Sequence, residues 1–558
     1  MTLNKSNLIS SSITLIAIIV INVISNSFYK RFDLTKDDRY TLSEATKTIV
    51  DSADTPLIID IFLEGNLPSE FKLLQSETKQ LIEEFQSLNP LIKVNYIDPL
   101  EDESKRERNI KELSRSGLEP YVNSKKVSGK LTQELLFPWG FASYKDRTIK
   151  IPLFKKSITE DLQAQVANSI QQLEYNFADA FQQLTRDKSK TIAILKGNGQ
   201  LSDIYITDFL QTIQPYYNIA PFTLDSVASN PKGTLNQLKN YDLIISAKPN
   251  DAFSENEKLV LDQYTMNGGK SLWLTEGIIM DKDSLYNASG TSVSVAKALN
   301  LTDYFFQYGV RINKNLVKDL YSAPIPLAIG EGNNTQFQPV QWQYSPLASS
   351  ESKHPISDNI DLVKFDFTSQ IDTLKNGIKK TILLESTERT KLEGPLKTIS
   401  LNSVTQQPDV DNYNQGKQTL AVLLEGEFNS VYKNRVLPFE LSGFKDKSSP
   451  TKQIIIADGD VIKNEVSRNR PLELGFERIT GRTFGNKEFL LNAVNYLLDD
   501  TGLINIRAKS VEIAFLDSEK IENQKGIWQF LNIILPLLLL GAFGFVFNYL
   551  RKRKYASK

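Results

Sequence analysis

The sequence predicts an α/β protein with tandem domains, a β-rich insertion and a flanking transmembrane helix at each end. Three observations carry this expectation: apolar strands alternate with amphipathic helices, residues 300–449 break into short strands rich in Asn, Gln, Ser, Pro and Thr, and uncharged apolar stretches bracket the chain. Regular strand and helix alternation favours a mostly parallel sheet covered by helices. An apolar run of about 20 residues, at about 1.5 Å rise per residue, spans about 30 Å of hydrocarbon.

The first apolar stretch, within residues 8–28, carries ITLIAIIVINVI diluted by Ser10, Ser11, Ser12, Thr14 and Asn22. It reads as a signal anchor; the alternative is a signal peptide cleaved after Ser27. The second, residues 527–550, holds no charged residue and runs directly into Arg551, Lys552, Arg553 and Lys554. Cations in that position mark the cytoplasmic side, so the middle of the chain is expected across the membrane from its basic tail. Asn22, Gln529, Asn532 and Asn548 place amides in the spans, where they are expected to turn toward a helix neighbour, and Pro536 predicts a kink.

Between the spans, Thr41 and Glu44 have capping-box spacing ahead of a helix. TPLIIDIFLEG, FKLLQSETKQLIEEFQSLN and IKVNYIDP then read as strand, helix, strand. A charged helix (EDESKRERNIKELSRSG) and a hairpin (ELLFPWGFASYKDRTIKIPL) follow. The stretch from Ser157 to Asp187 predicts a long helix, with Leu162, Val166, Ile170, Leu173, Phe177 and Leu184 on one face. Its glutamines Gln163, Gln165, Gln171, Gln172, Gln182 and Gln183 form either an interaction face or a flank of the core.

A second α/β unit opens at Lys190: TIAILKGNG, LSDIYITDFLQTIQPY, NIAPFTL, YDLIISAKP, SENEKLVLDQYTMNGG and KSLWLTEG. Within the insertion, KTILLEST and QTLAVLLEGEF are the clearer strands. The α/β pattern resumes with QIIIADGDVI and NKEFLLNAVNYLLDD, then strand-like INIRAKSVEIAFLD and the linker SEKIENQKG. The expected layout is therefore a cytoplasmic N-terminus (1–7), transmembrane helix (8–28), N-terminal α/β domain with the long helix (29–188), flavodoxin-like domain in two pieces (189–299 and 450–500), β-rich insertion (300–449), strand and linker (501–526), transmembrane helix (527–550) and basic cytoplasmic tail (551–558).

Composition removes several function classes. Formal net charge is −1, with no long basic stripe outside the tail, which argues against nucleic acid as a partner. The absence of cysteine removes disulfides, thiolate nucleophiles and thiolate-bound metals, and with them amidotransferase chemistry. The single histidine, His354, reads as a surface-loop residue before Pro355.

The remaining chemical motifs are each incomplete. Gly269, Lys270 and Ser271 end like a phosphate-binding loop, but Tyr264 stands at its first glycine position, so Gly268 and Gly269 read as a helix stop before a strand. Gly197 and Gly199 follow a strand as in a dinucleotide fingerprint, with Ser202 at the third glycine position; they read as a tight turn, with anion binding at the next helix as the alternative. Asp458 and Asp460 stand where an open sheet places its ligands, yet neither they nor Asp281 complete a cation site. No catalytic, cofactor-binding or metal-binding residue is assigned, and no cofactor is expected.

The order of RFDLTKDDRYTLS, FLEGNLPSEFKLLQSETKQLIEEF, IQQLEYNFADAFQQL, KTIAILKGNGQLSD, YDLIISAKPNDAFSENEKLVLDQYTMNGGKSLWL and FGNKEFLLNAVNYLLDD, closed by an apolar span and basic tail, resembles the GldG family. These are auxiliary, so-called substrate-binding components of gliding-motility ABC transporters. The resemblance implies a non-catalytic protein of the inner membrane with its large domain in the periplasm. It also implies a permease and a cytoplasmic ATPase as partners, and extracytoplasmic protein partners. A sugar or peptide receptor and a degenerate amidotransferase-like scaffold are the rival readings.

Overall fold

The computed structural model describes residues 14–18, 20, 41–127, 130–329, 336–478, 480–509 and 518–555. It divides into two compact units, Met1–Ser510 and Val511–Lys558. Of the N-terminal apolar stretch, residues 14–18 and 20 are described and are helical, while Asn22 lies outside the described residues.

The next helix, α1 (Glu44–Asp51), starts two residues later than the Thr41 capping box predicts. Ser43 is its cap, accepting from the Thr46 N–H at 3.1 Å. Strand β1 (Leu57–Ile61), helix α2 (Ser69–Leu88) and strand β2 (Ile92–Tyr96) form the expected parallel unit. Helix α3 (Arg106–Arg115) and a hairpin of β3 (Tyr121–Val127) and β4 (Lys130–Leu136) follow. The predicted hairpin is shorter than its sequence segment, β5 (Trp139–Tyr144) with β6 (Arg147–Pro152), because Leu135 and Leu136 belong to β4. β5 adds antiparallel to β1, completing a sheet of order β2-β1-β5-β6.

Helix α4 (Leu162–Thr185) is capped by Asp161, whose side chain accepts from the Ala164 N–H. Phe177 and Phe181 pack on Phe85 of α2 with ring centroids 5.7 and 5.4 Å apart. Its glutamine flank is engaged within the fold and no glutamine in it is fully exposed: Gln172 is buried and donates to the Asn359 carbonyl at 3.1 Å, while the half-buried Gln183 donates to Asp179 at 2.9 Å. Core packing, as opposed to an exposed glutamine face, explains this helix.

The larger sheet collects β7 (Thr191–Lys196), β8 (Asn218–Thr223), β9 (Leu243–Ala247), β10 (Lys270–Leu274), β11 (Lys379–Glu385), β12 (Thr419–Gly426) and β13 (Thr451–Ile456). Its order is β11-β12-β13-β10-β9-β7-β8. Strands β13, β10, β9, β7 and β8 are mutually parallel, whereas β12 and β11 join antiparallel at one edge. KTILLEST and QTLAVLLEGEF, from the irregular stretch, thus extend the central sheet. Leu420, Ala421, Val422, Leu423 and Leu424 are fully buried there, which is the environment that a continuous apolar run requires. Helices α5 (Thr207–Ile213), α6 (Pro231–Leu238), α7 (Glu255–Met266) and α8 (Asn486–Leu498) cover the sheet. α7 begins with a complete capping box of Ser254 and Glu257.

Residues Leu503–Ala508 form a short 3-10 helix where the sequence pattern predicts a strand. Asp499 explains the winding: its carboxylate accepts from the N–H groups of Thr501, Gly502 and Ile504, and Gly502 adopts φ +77°. In the second unit, α9 (Ser518–Tyr555) continues through Pro536. Its segment Gln524–Tyr555 is long and apolar enough to cross a membrane, and the apolar side chains along it are exposed.

Candidate functional site

The carboxyl edge of a parallel sheet is the usual ligand edge, above all where successive connections diverge to opposite sides. Here that point lies between β7 and β9, since β8 flanks β7 on one side and β9 on the other. The loops close it themselves. Asn250 and Asp251 donate their N–H groups to the Asn198 carbonyl at 3.0 and 3.1 Å, and Leu201 donates to the Ala247 carbonyl at 3.0 Å. Gly197 (φ +107°) and Gly199 (φ +68°) serve this packing: a Cβ on Gly199 would lie 2.8 Å from an Asp251 carboxylate oxygen. The helix that follows, α5, has seven residues and starts beyond a 3-10 turn, so the anion-binding alternative has no helix terminus at the loop.

The Gly268–Gly269 pair behaves as a helix stop. Gly268 has φ +92°, Gly269 donates to the Tyr264 carbonyl at 3.0 Å, and a Cβ on Gly269 would overlap the Tyr264 ring. Lys270 is the first residue of β10.

Asp458 and Asp460 belong to a buried charge network that the sequence did not disclose. Lys248 follows β9 with φ +54°, is 2% exposed, and pairs with Asp460 at 2.7 Å and with Asp281. Burial opposes its charge, but the carboxylates of Asp460, Glu276 and Asp281 outweigh it and raise its pKa. Glu276 follows β10 by two residues and pairs with Lys297 at 2.5 Å, and its other oxygen accepts from the Gly459 N–H at 2.8 Å. Asp458 accepts from the N–H groups of Asp366 at 2.6 Å and Asp460 at 2.7 Å. Burial, together with the Asp460 and Glu276 carboxylates, pushes the Asp458 pKa well up. Asp366 in turn pairs with Lys282 at 3.2 Å and Lys364 at 3.4 Å; burial works against its ionisation, yet the two lysines hold its pKa well below the carboxylate range.

The charged groups at this edge are compensated by internal partners, although Ser246 Oγ, Thr275 Oγ1 and Asp460 Oδ1 are buried without a hydrogen bond. Each carboxylate faces a lysine or main-chain N–H, and no group of three His, Cys, Asp or Glu side chains arranged for a metal occurs among the described residues. The expected satisfied turn at Asp458 and Asp460 is present, but its partners come from distant parts of the chain. A single charged residue after an apolar strand (Lys248 after LIISA, Glu276 after SLWLT) is the only signal that marked them. His354 is a correction as well: it is half-buried, 4.6 Å from the Tyr496 ring, and burial lowers its pKa to about 4. Its Nδ1 accepts from the Ile356 N–H at 3.3 Å, so it is a packed neutral ring and not a solvated loop residue.

A second constellation joins residues 41 and 509 of the first unit to α4. Lys509 donates to the Thr41 carbonyl at 2.9 Å and pairs with Glu174 of α4 at 3.0 Å. Glu174, 6% exposed, also accepts from the Ser43 N–H at 2.7 Å and the Thr46 hydroxyl at 2.9 Å. Two residues earlier, Arg507 pairs with Glu488 at 2.6 Å and lies over the Tyr175 ring at 5.0 Å. Lys155 joins Glu488 at 2.7 Å, and burial lowers its pKa while Glu488 holds it up in part. The middle of one long helix thus clasps both residue 41 and residue 509.

The family model for an ABC-type uncharacterized transport system matches residues 189–493, and a model for a domain of unknown function, DUF7088, matches residues 36–143. A relative described as an uncharacterized protein of Borreliella burgdorferi is 23% identical over 564 aligned residues, covering 99% of each chain. Among solved structures, the mmIFT52 N-terminal domain aligns over 56% of this chain and 99% of its own, at 13% identity and a TM-score of 0.30.

Proposed function

Because this chain belongs to the ABC-type uncharacterized transport system family, we propose that it is a non-catalytic auxiliary subunit that couples a permease and its ATPase to partners outside the membrane. The large domain lies in the periplasm in this reading, held to the inner membrane by residues 8–28 and 527–550. The observation that carries it is the clasp of Thr41, Glu174 and Lys509. Residues 41 and 509, which lead toward the proposed anchors, meet at one place, and that place is the centre of a helix whose buried face forms part of the N-terminal core. A displacement of either anchor would therefore load the same rigid element, which is what transmission of a nucleotide-driven rearrangement needs.

The resemblance to the GldG family supplies the physiological setting, gliding motility. Two experiments test the reading. With permease and ATPase co-expressed, Glu174→Gln combined with Lys509→Met should leave the protein membrane-bound and still associated with the permease. The change in hydrogen exchange at residues 41–52 on nucleotide addition should disappear; an unchanged response would refute coupling through the clasp. Replacing Asn22 and Asn532 with leucine should weaken permease recovery and reduce gliding, since interhelical amide bonds contribute on the order of 1 kcal/mol each. Full recovery in detergent would remove the anchors from the permease contact.

A further inference from the structure

A cleft of about 160 Å³ opens beside the clasp, at the junction of α4, the loop after α5, and the segment after α8. Its polar wall is made by Tyr175, Asp179, Gln183, Tyr216, Tyr217 and Asn495. Asp179, on the polar wall, has no ion-pair partner among the described residues. One carboxylate oxygen, Oδ2, accepts from the Tyr216 hydroxyl at 2.7 Å and from the Gln183 amide at 2.9 Å. The other, Oδ1, has no protein hydrogen-bond partner among the described residues and is not among the sealed-off polar atoms. The nearby guanidinium of Arg507 is committed to Glu488 at 2.6 Å and stacked over Tyr175. Of the cations at the mouth, Lys190 is already paired with Asp500 at 2.8 Å and Asp242 at 3.4 Å, and Arg186 and Lys188 stand at the rim beside Asp187.

We propose that this cleft binds a small organic ammonium compound, with its cationic nitrogen against Asp179 Oδ1 and its substituents against the tyrosine rings. An isolated carboxylate in a partly desolvated pocket gains most from a ligand carrying the missing positive charge, and aromatic faces attract the same charge through their quadrupoles. A neutral ligand would leave the carboxylate as it is, and an anion would face it. The volume admits a molecule of the size of choline. The cleft goes beyond the coupling role, but it shares wall residues with it: Leu503 and Ile504 line it, and the same short helix carries Arg507 and leads to Lys509. Occupancy would bear on the root of the C-terminal connection.

The charge states favour the same ligand near neutral pH. Asp179 is raised to about 6, by burial first, with Tyr216, Gln183 and Arg507 opposing. The groups that face it are Tyr175 on its own helix, Tyr216 and Tyr217 from the loop after α5, and Arg507, with Glu488 behind Arg507 and Asp499 beyond Tyr217. Burial raises all three tyrosines, so they stay neutral, while Lys155 and Arg507 overcome burial to keep Glu488 ionised. Asp179 is thus the group whose protonation would expel the cation as pH falls through about 6.

The test is calorimetric titration of the full-length protein in maltoside detergent with choline, ethanolamine and putrescine, beside dimethylbutanol, in which carbon replaces the choline nitrogen. At least one of the three cations should bind, dimethylbutanol should bind at least about tenfold more weakly than choline if choline is the binder, and cation affinity should fall as pH drops below about 6. Asp179→Asn, which keeps shape and removes charge, should weaken cation binding by at least about tenfold. Equal binding of choline and dimethylbutanol, unchanged affinity in the Asn variant, or no heat with any of the three cations at millimolar concentration would overturn the proposal. The charge contrast and the pH profile use the wild-type protein, so they stand if the variant does not fold.

Discussion

The carboxyl edge of the central sheet and the junction behind α4 contain the same residue types, carboxylates among lysines, arginines and tyrosines, but they are wired in opposite ways. At the sheet edge, Lys248, Glu276, Lys297, Asp366, Asp458 and Asp460 find partners within the protein, and the loops carrying them are sewn together by main-chain hydrogen bonds. At the junction, Asp179 keeps one oxygen toward a cleft, and the ion pairs around it connect segments far apart in sequence. The difference teaches where function resides in this α/β chain. An edge that holds ligands in many α/β proteins here serves cohesion, and the exposed chemistry moves to the junction that residues 41 and 509 share with α4.

The comparison can be broken most directly at Lys248. Lys248→Met would leave Asp460 and Asp281 without their shared ammonium, and truncating one member of a buried pair costs about 3 kcal/mol or more. We expect the largest loss of thermal stability there; a melting temperature equal to wild type would mean the network is not what holds this edge.

Gly459→Ala tests the same edge by shape. Its Cβ would overlap the Lys248 side chain, so a loss of about 1–3 kcal/mol is expected in denaturant unfolding. A neutral result would show that Lys248 can move aside, and that the edge is looser than its geometry implies.

At the junction, Glu174→Gln keeps some acceptor capacity for Ser43 and Thr46 but loses the charge facing Lys509. The expected cost is about 1–2 kcal/mol, with faster hydrogen exchange in α1 ahead of any change in the central sheet. Uniform destabilisation of both regions would contradict a clasp that acts locally.

Asp179→Asn should have the smallest effect and the opposite sign. A carboxyl group whose folded pKa is raised contributes stability that is present at low pH and lost as pH rises through about 6. The variant should therefore gain about 1 kcal/mol over wild type at pH near 8 and gain less as pH falls toward 5, because the side chain is only partly buried and the penalty is screened. Equal stability at all pH values would place Asp179 in a wetter setting than its partners indicate.

Much of the fold was legible before any coordinates. LIISA and QIIIAD read as buried parallel strands because near-continuous apolar runs, interrupted in LIISA only by the small Ser246, suit strands that face helices on both sides. The helix stop at Gly268 and Gly269 was equally plain, since Tyr264 breaks the phosphate-loop spacing and glycine supplies the left-handed turn. The segment 503–508 misled, because alternating Ile504 and Ile506 imitate a strand while the capping of the following N–H groups by Asp499 is invisible to periodicity. His354 misled for a related reason: polar neighbours in sequence say nothing of Tyr496, which packs against it from 142 positions away.

The sequence by itself determined the strand and helix alternation, the apolar C-terminal segment and the absence of thiol chemistry, since each of these depends on local composition and spacing. Only the tertiary structure decided that KTILLEST and QTLAVLLEGEF extend the main sheet, that Lys248 meets Asp460, and that Lys509 reaches Thr41. Those pairings join residues separated by tens to hundreds of positions. A charged side chain's sequence neighbours do not identify the partner that compensates its burial; that partner is chosen when the chain closes on itself and desolvation leaves no other acceptable arrangement.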